Sequence, residues 1–381
     1  MIPFEFIGIL PGAGGSPAHQ AEECLRLLET RLRSSGRNGR QVLSLTFFVD
    51  APDAAAYRRR RKSLLQIVRN SSGTPSPPAG VVAQLPERAC RVALEAVVLA
   101  PSSKKFRVER KAVRGAAYTV VSGAGMRQIH AAGIADDEGR GGLELRAKEA
   151  FAKMEAVLRR ERMDFGLVVR QWNYIEGLLG LRSSAGKKRQ NYQAFNDIRT
   201  LAYEGSIFPT GYPAATGIGQ SSGGVILEFI ALEGPPDLRV VPVSNPRQTD
   251  PHRYSDVVLV GTPLPTVSRK TSPKFERAKL VARGPAETVF VSGTAAVLGE
   301  GSVGRGDVAA QTRTTIDNIA ALTGGRNLAY LRGYVKRAKD IPKVREICER
   351  AYGPIPALFV QADICRPELL VELEGFSTGG V

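Results

Sequence analysis

Apolar and polar positions alternate along this chain in an order of elements that occurs three times. A 3.6-residue stripe runs through residues 21–32, where Cys24, Leu25, Leu28 and Leu32 share a face, and through residues 147–158, where Phe151, Met154 and Leu158 do. A third stripe joins Val308, Thr312, Thr315, Ile319 and Leu322, with Asp307 at the N-cap position. Each predicts an amphipathic helix. Each is followed by a run rich in β-branched and aromatic residues: 42–49 (VLSLTFFV), 165–175 (FGLVVRQWNYI) and 328–335 (LAYLRGYV). Polar turns and a short second helix come next, then a closing strand that carries a Glu: 92–98 (VALEAVV), 225–231 (VILEFIA) and 369–374 (LLVELE). Such an order, recurring at roughly 120 residues, is the signature of an internal repeat, and it predicts an α+β fold. Residues 100–105 (APSSKK) end the first copy. The Pro-rich stretch 232–273 separates the second from the third, and a connection that long inside a compact protein is functional or has structure of its own.

In a strand, residues two apart share a face. Leu369, Val371 and Leu373 therefore point toward the helices, while Leu370, Glu372 and Glu374 point away, toward a neighbouring copy. Counted back from Glu95, Glu228 and Glu374, the corresponding positions are Ala93, Ile226 and Glu372, so the third copy alone has a carboxyl there. A Glu among Leu and Val on a buried strand is expensive to ionise, so its pKa should rise toward the range of a general acid. The plainer reading is a salt-bridged strand carboxylate.

Composition narrows the partners. The 381 residues are 43% apolar and 24% charged, with a formal net charge of +16. The positive charge is dispersed, and its dense run, 58–62 (RRRRK), reads as a solvated helix face, as does 187–189 within a loop. Aromatics, at 7%, are not interleaved with basic residues, so no nucleic-acid partner is expected. Cys24, Cys90, Cys348 and Cys365 show no CxxC spacing, and His19, His130 and His252 are isolated, so neither metal nor cofactor is expected. No leader-like or membrane-spanning pattern occurs, which points to a cytoplasmic protein with reduced thiols and no membrane partner.

The helix, strand and VEIE-like closing strand resemble the YjgF/RidA unit, a chorismate-mutase-like α+β fold that assembles as a trimer with clefts between subunits. The resemblance implies three fused units acting as an intramolecular pseudo-trimer in a monomer: 1–103 (degenerate, structural), 104–240, a linker 241–272 contributing to the site, and 273–381 carrying the acid. The segments RQWNYI (170–175), YQAFNDIR (192–199), YPAATGIG (212–219), NPRQ (245–248), FERA (275–278), VSGTA (291–295) and ADICRPELLVELEG (362–375) together resemble the chorismatases, which remove pyruvate from chorismate without metal or cofactor. By position, the resemblance makes Glu372 the proton donor and Cys365 the cysteine marking members that form a hydroxybenzoate. Ala278 falls where side-chain size bears on product choice. For a substrate with two carboxylates, Arg199 is the expected bidentate clamp. Tyr192, Thr216, Gln248 and Tyr254 are expected substrate contacts. Apart from these roles, Cys365 reads as a small buried apolar residue, Arg199 as a helix charge, Thr216 as part of a turn and Gln248 as a loop anchor. The chain departs from the family in its complete first copy and in NPRQTDPHRYS, where His252 stands in place of an expected Ala-Tyr pair. The expected reaction is cleavage of chorismate to pyruvate and 3-hydroxybenzoate. The alternatives are hydrolysis to a dihydroxycyclohexadiene carboxylate, imine or enamine hydrolysis, and a non-enzymatic anion-binding scaffold. Imine chemistry is poorly matched, with Gln84 before Leu85-Pro86 and Arg366 displaced toward the Glu.

Overall fold

Three sheets, each with two helices on one face, make up the chain in a computed structural model that describes residues 2–72, 75–101, 106–136, 141–184, 187–263 and 270–379. Parts of the two predicted junctions, 102–105 and 264–269, lie outside the described residues. The first sheet contains β1 (Phe4–Ile9), β2 (Val42–Val49), β3 (Ala79–Val82) and β4 (Val92–Leu99) in the order β1-β4-β2-β3, with α1 (Pro17–Ser34) and α2 (Ala54–Ser72). The second contains β5 (Arg107–Val113), β6 (Ala116–Gly123), β7 (Met126–Ala135) and β8 (Val168–Glu176). After the hairpin β9 (Leu181–Ser184) and β10 (Lys187–Gln190) it is completed by β11 (Ala214–Gln220) and β12 (Val225–Glu233), with helices α3 (Leu143–Arg160) and α4 (Asn191–Ala202). Its order is β11-β8-β12-β7-β6-β5. The third sheet is formed by β13 (Arg239–Val243), β14 (Ala278–Arg283) and β15 (Ala286–Ala295), then, beyond the small pair β16 (Val297–Leu298) and β17 (Gly301–Ser302), by β18 (Leu328–Val335), β19 (Ala357–Gln361) and β20 (Val371–Gly379). Its order is β13-β14-β15-β20-β18-β19, with α5 (Val308–Thr323) and α6 (Ile341–Tyr352).

The predicted helices and the first two closing strands are where their periodicity placed them; the third begins at Val371, and Leu369, expected to face the helices with Val371 and Leu373, lies ahead of the strand and outside the core under α5 and α6. Asp307 caps α5, its Oδ1 accepting from the amides of Ala309 (2.8 Å) and Ala310 (3.0 Å), and Gly324 ends it at φ 61°. Two kinds of strand were not expected. One is the parallel edge strand reached by a helix crossover, β3, β11 and β19; the other is the meander before the first helix of the second and third copies. The first copy, read as complete, has only β1 in place of that meander and so has four strands. Residues 187–189, read as loop, are in β10, which pairs with β9.

Helix-facing residues form separate cores under α3 and α4 and under α5 and α6, whereas the opposite sheet faces meet in a shared core. The sheets follow one another cyclically: β3 packs on β7, β11 on β15 and β19 on β1. At the centre, Phe6 stacks on Tyr330 (5.3 Å), and Arg332 of β18 forms a buried bidentate pair with Glu95 of β4. Arg332 also donates to the hydroxyls of Tyr174 (2.8 Å) and Tyr334 (3.0 Å).

Candidate active site

Alternation along β20 sets the site. Val371 and Leu373 join Ile319 and Val344 in the core beneath the helices, so Glu372 and Glu374 emerge together on the opposite face, toward the second sheet. Glu374 is fully engaged there. Its carboxylate accepts from Arg170 Nη2 (2.6 Å), Trp172 Nε1 (2.8 Å), Tyr334 OH (3.1 Å) and, by a very short bond, Thr216 Oγ1. Burial pushes its pKa up, but Arg170 and Arg332, helped by Thr216 and Trp172, hold it below the usual carboxylate range.

Glu372 instead lines a cleft where β11 meets β15. The residue is 4% exposed, and its carboxyl makes no hydrogen bond among the described residues. It rests on Gly293, which lies at a register shift in β15 between Val291 and Thr294; a Cβ added to Gly293 would stand 2.0 Å from Glu372 Oε1. A bulge with glycine is thus what lets the acid lie flat against the neighbouring strand. Burial first, then the charge of Glu374, pushes the Glu372 pKa up to about 8 against the opposing pull of Arg170 and Arg277.

Two cations share this cleft. Arg277 donates to Tyr254 OH (2.6 Å) and to Thr249 O, while the Arg366 guanidinium lies 5.4 Å over the Tyr254 ring and donates to Glu300 O (2.7 Å). The long connection folds over the mouth, so its Tyr254, Val258, Leu259 and Val260 form one wall. Glu300 clasps that segment, accepting from Ser255 N (3.0 Å) and Ser255 Oγ (2.6 Å). Tyr192 of α4 and Cys365 complete the wall beside the acid. Burial, then the Glu372 charge, pushes the Cys365 thiol up to about 12, which leaves it protonated and unsuited to nucleophilic attack.

Of the residues singled out in the sequence, Glu372, Cys365, Tyr192 and Tyr254 come together here, and four others do not line the cleft. Arg199, expected as the clamp, is 2% exposed in the core under α4, bonded to Asn196 Oδ1 (2.7 Å) and lying between the rings of Phe195 and Phe275. It faces inward because its helix position falls on the buried stripe with Phe195 and Ile198. Thr216 turns its hydroxyl into the central cluster, where it accepts from Arg170 Nη2 (2.7 Å) and Gly293 N (2.9 Å), and only its neighbours Ala215 and Gly217 reach the cleft. Gln248 holds its own loop through Val297 O (3.0 Å) and Asn245 Nδ2 (3.0 Å). Ala278 is buried with the helices' core, and His252 packs on Tyr212. The sequence reading missed Arg277, Arg366 and Gly293 as site residues, although FERA, CRP and VSGTA contain them. A carboxylate-binding site wants cations next to its acid, and Arg277 and Arg366 were the nearest ones by motif. Among the described residues no group of three or more His, Cys, Asp or Glu is placed to hold a metal ion, and no helix is long and apolar enough to cross a membrane.

An acid-bearing cleft between two α+β units defines the class of site, and comparison with known proteins gives the family. The family described as "Chorismatase FkbO/Hyg5-like, N-terminal" matches residues 106–231. A 3-hydroxybenzoate synthase of Streptomyces hygroscopicus is 32% identical over 248 residues, covering 60% of this chain and 68% of that protein. A chorismatase of the same organism is 31% identical over 229 residues, covering 56% of this chain but 62% of that protein, so the chain spans less than two thirds of this second relative. A crystal structure of a chorismatase shares the fold with a TM-score of 0.66 at 24% identity, over 89% of this chain and 93% of that one. The chain belongs to the chorismatase family and is an enzyme.

Proposed function

We propose that this chain cleaves the enolpyruvyl ether of chorismate to pyruvate and 3-hydroxybenzoate, with Glu372 as the general acid. The observation that carries the reading is a buried carboxyl with a pKa near 8, without a hydrogen-bond partner among the described residues, facing a cleft. Such a group still holds its proton at neutral pH and has nothing but a substrate to give it to. Protonation of the ether's methylene carbon makes an oxocarbenium ion. Capture of that ion by the substrate's own neighbouring hydroxyl, which loses its proton, gives a cyclic ketal. Loss of the proton from the ring carbon that bears the ether, with cleavage of the neighbouring ring C–O bond, makes the ring aromatic, and the hemiketal that remains collapses to pyruvate and the phenol. No water is consumed, because the two products together contain the atoms of chorismate. Capture by water would instead leave the nonaromatic diol. The name of the first relative and the place of Cys365 beside the acid support the hydroxybenzoate.

Chorismate carries two carboxylates, for which Arg277 and Arg366 are the cations of this wall, and Tyr192 and Tyr254 supply hydroxyls. The three sheets are read as YjgF/RidA-like units; because β13 (Arg239–Val243) pairs into the third sheet, the third unit begins ahead of the expected 273, and the segment after β13 closes the site, so that one chain acts as a pseudo-trimer. Cyclic packing of the edge strands supports this. The test is incubation of the purified protein with chorismate, with pyruvate assayed enzymatically and the ring product separated by chromatography. Pyruvate with 3-hydroxybenzoate is expected; pyruvate with the diol corrects the product, and no pyruvate overturns the reading.

A further inference from the structure

We propose that Glu374, clamped by the second sheet, is a positioning residue that keeps Glu372 in its acid form and, through Thr216, fixes the strand on which Glu372 rests. The inference rests on the function proposed above for Glu372. Glu374 does not line the cleft. It stands two residues further along β20 on the same face, which in an extended strand places it roughly 7 Å away. The groups that face Glu372 are Glu374 on its own strand, Arg170 of β8, Tyr192 of α4, Arg277 ahead of β14, Cys365 and Arg366 ahead of β20, and Tyr254 of the covering segment.

The cations among them are already engaged. Arg170 gives Nη2 to both Glu374 and Thr216, and Arg277 is held by Thr249 O and Tyr254. A second, permanently ionised carboxylate at that distance inside the protein opposes ionisation of Glu372 by about a tenfold factor or more in proton affinity. Geometry travels through the same group. The Thr216 hydroxyl donates to Glu374 and accepts from the Gly293 amide (2.9 Å), and Gly293 is the residue under the Glu372 carboxyl. One side chain of the third sheet is therefore coupled, by way of one hydroxyl of the second, to the ridge beneath the acid. In the second copy the position of Glu372 is Ile226, and Glu228, which takes the place of Glu374, has no acid to act on.

The test combines a Glu374→Gln variant with the pair Thr216→Val and Thr216→Ser. Glu372 is titrated directly by carbon NMR of carboxyl-labelled glutamate, assigned by the resonance absent from Glu372→Gln, and pyruvate release from chorismate is followed against pH. In Glu374→Gln the Glu372 midpoint falls by about one pH unit, and the alkaline limb of activity falls with it, with kcat changed more than KM. Thr216→Val, which keeps every charge, lowers kcat by about tenfold or more while moving the midpoint less, and Thr216→Ser restores activity. A midpoint that stays put or rises in Glu374→Gln overturns the inference. Should that variant not fold, Thr216→Val with wild-type kcat overturns it. If the midpoint shifts but the wild type releases no pyruvate from chorismate, the coupling stands and the proposed reaction fails.

Discussion

Glu228 on β12 and Glu372 on β20 are two buried glutamates with nearly the same proton affinity and opposite surroundings. Each is 4% exposed, each is pushed up to about 8 chiefly by burial, and each lies against a glycine of a neighbouring strand, Gly80 for one and Gly293 for the other. Glu228 is walled in: Thr46 Oγ1 reaches both of its oxygens at 3.0 Å, and Tyr174 OH is 3.3 Å away. Its proton balances the centre, where the cations Arg170 and Arg332 already face Glu374 and Glu95. Glu372 has no such partners among the described residues and has a cleft in front of it. A raised pKa thus marks burial, and only access and an unmet hydrogen bond turn burial into chemistry.

Glu372→Gln should lower kcat for pyruvate release by about 10²–10⁴-fold, the worth of a general acid, with KM little changed; unchanged turnover would remove the acid from the mechanism. Gly293→Ala inserts a methyl where Glu372 Oε1 now lies and should lower kcat by about 10²-fold through displacement of the acid, without raising KM comparably. Arg277→Gln should act on the other parameter, raising KM by about tenfold or more, as expected for loss of a charge-assisted hydrogen bond to a carboxylate. A KM unmoved in that variant would place the substrate carboxylates elsewhere.

The smallest effect is on Glu228. Glu228→Gln should leave pyruvate release essentially intact and change stability instead. The sign follows from proton uptake: the folded pKa lies above the unfolded one, so between about pH 4.5 and 8 the native state holds a proton that the unfolded chain has lost. That stabilisation is complete below the window and is lost as pH rises through it, by up to about 1.4 kcal/mol per pH unit. The glutamine variant lacks this loss, so in urea titrations its stability relative to wild type should improve steadily from pH 5 to pH 8. A difference that does not change with pH would mean that Glu228 ionises normally.

Much of this contrast was legible in the sequence, because period-two alternation in 371–374 and the missing carboxyls at Ala93 and Ile226 depend only on local geometry. Helices with a clear stripe were legible for the same reason. The edge strands β3, β11 and β19 were not, since short runs of four to seven residues that pair only after a helix crossover carry little pattern of their own. Arg199 misled because a helical arginine reads as exposed, whereas its position on α4 falls on the face packed against Phe195 and Phe275. Arg277 and Arg366 were passed over because their importance comes from Tyr254, which arrives from a distant segment. Thr216, read as a substrate contact or part of a turn, lies in β11 with its hydroxyl toward Glu374 and Gly293, partners that come from another sheet and have no signature in the local sequence.

Titration of the Glu372 carboxyl in the wild-type protein, through labelled-glutamate carbon NMR with Glu372→Gln as the assignment, decides whether this side chain has a proton to give. A midpoint near pH 8 that tracks the alkaline loss of pyruvate release is expected. A midpoint near 4.5, the ordinary value for the side chain, would mean that Glu372 is ionised at neutral pH and has no proton to give.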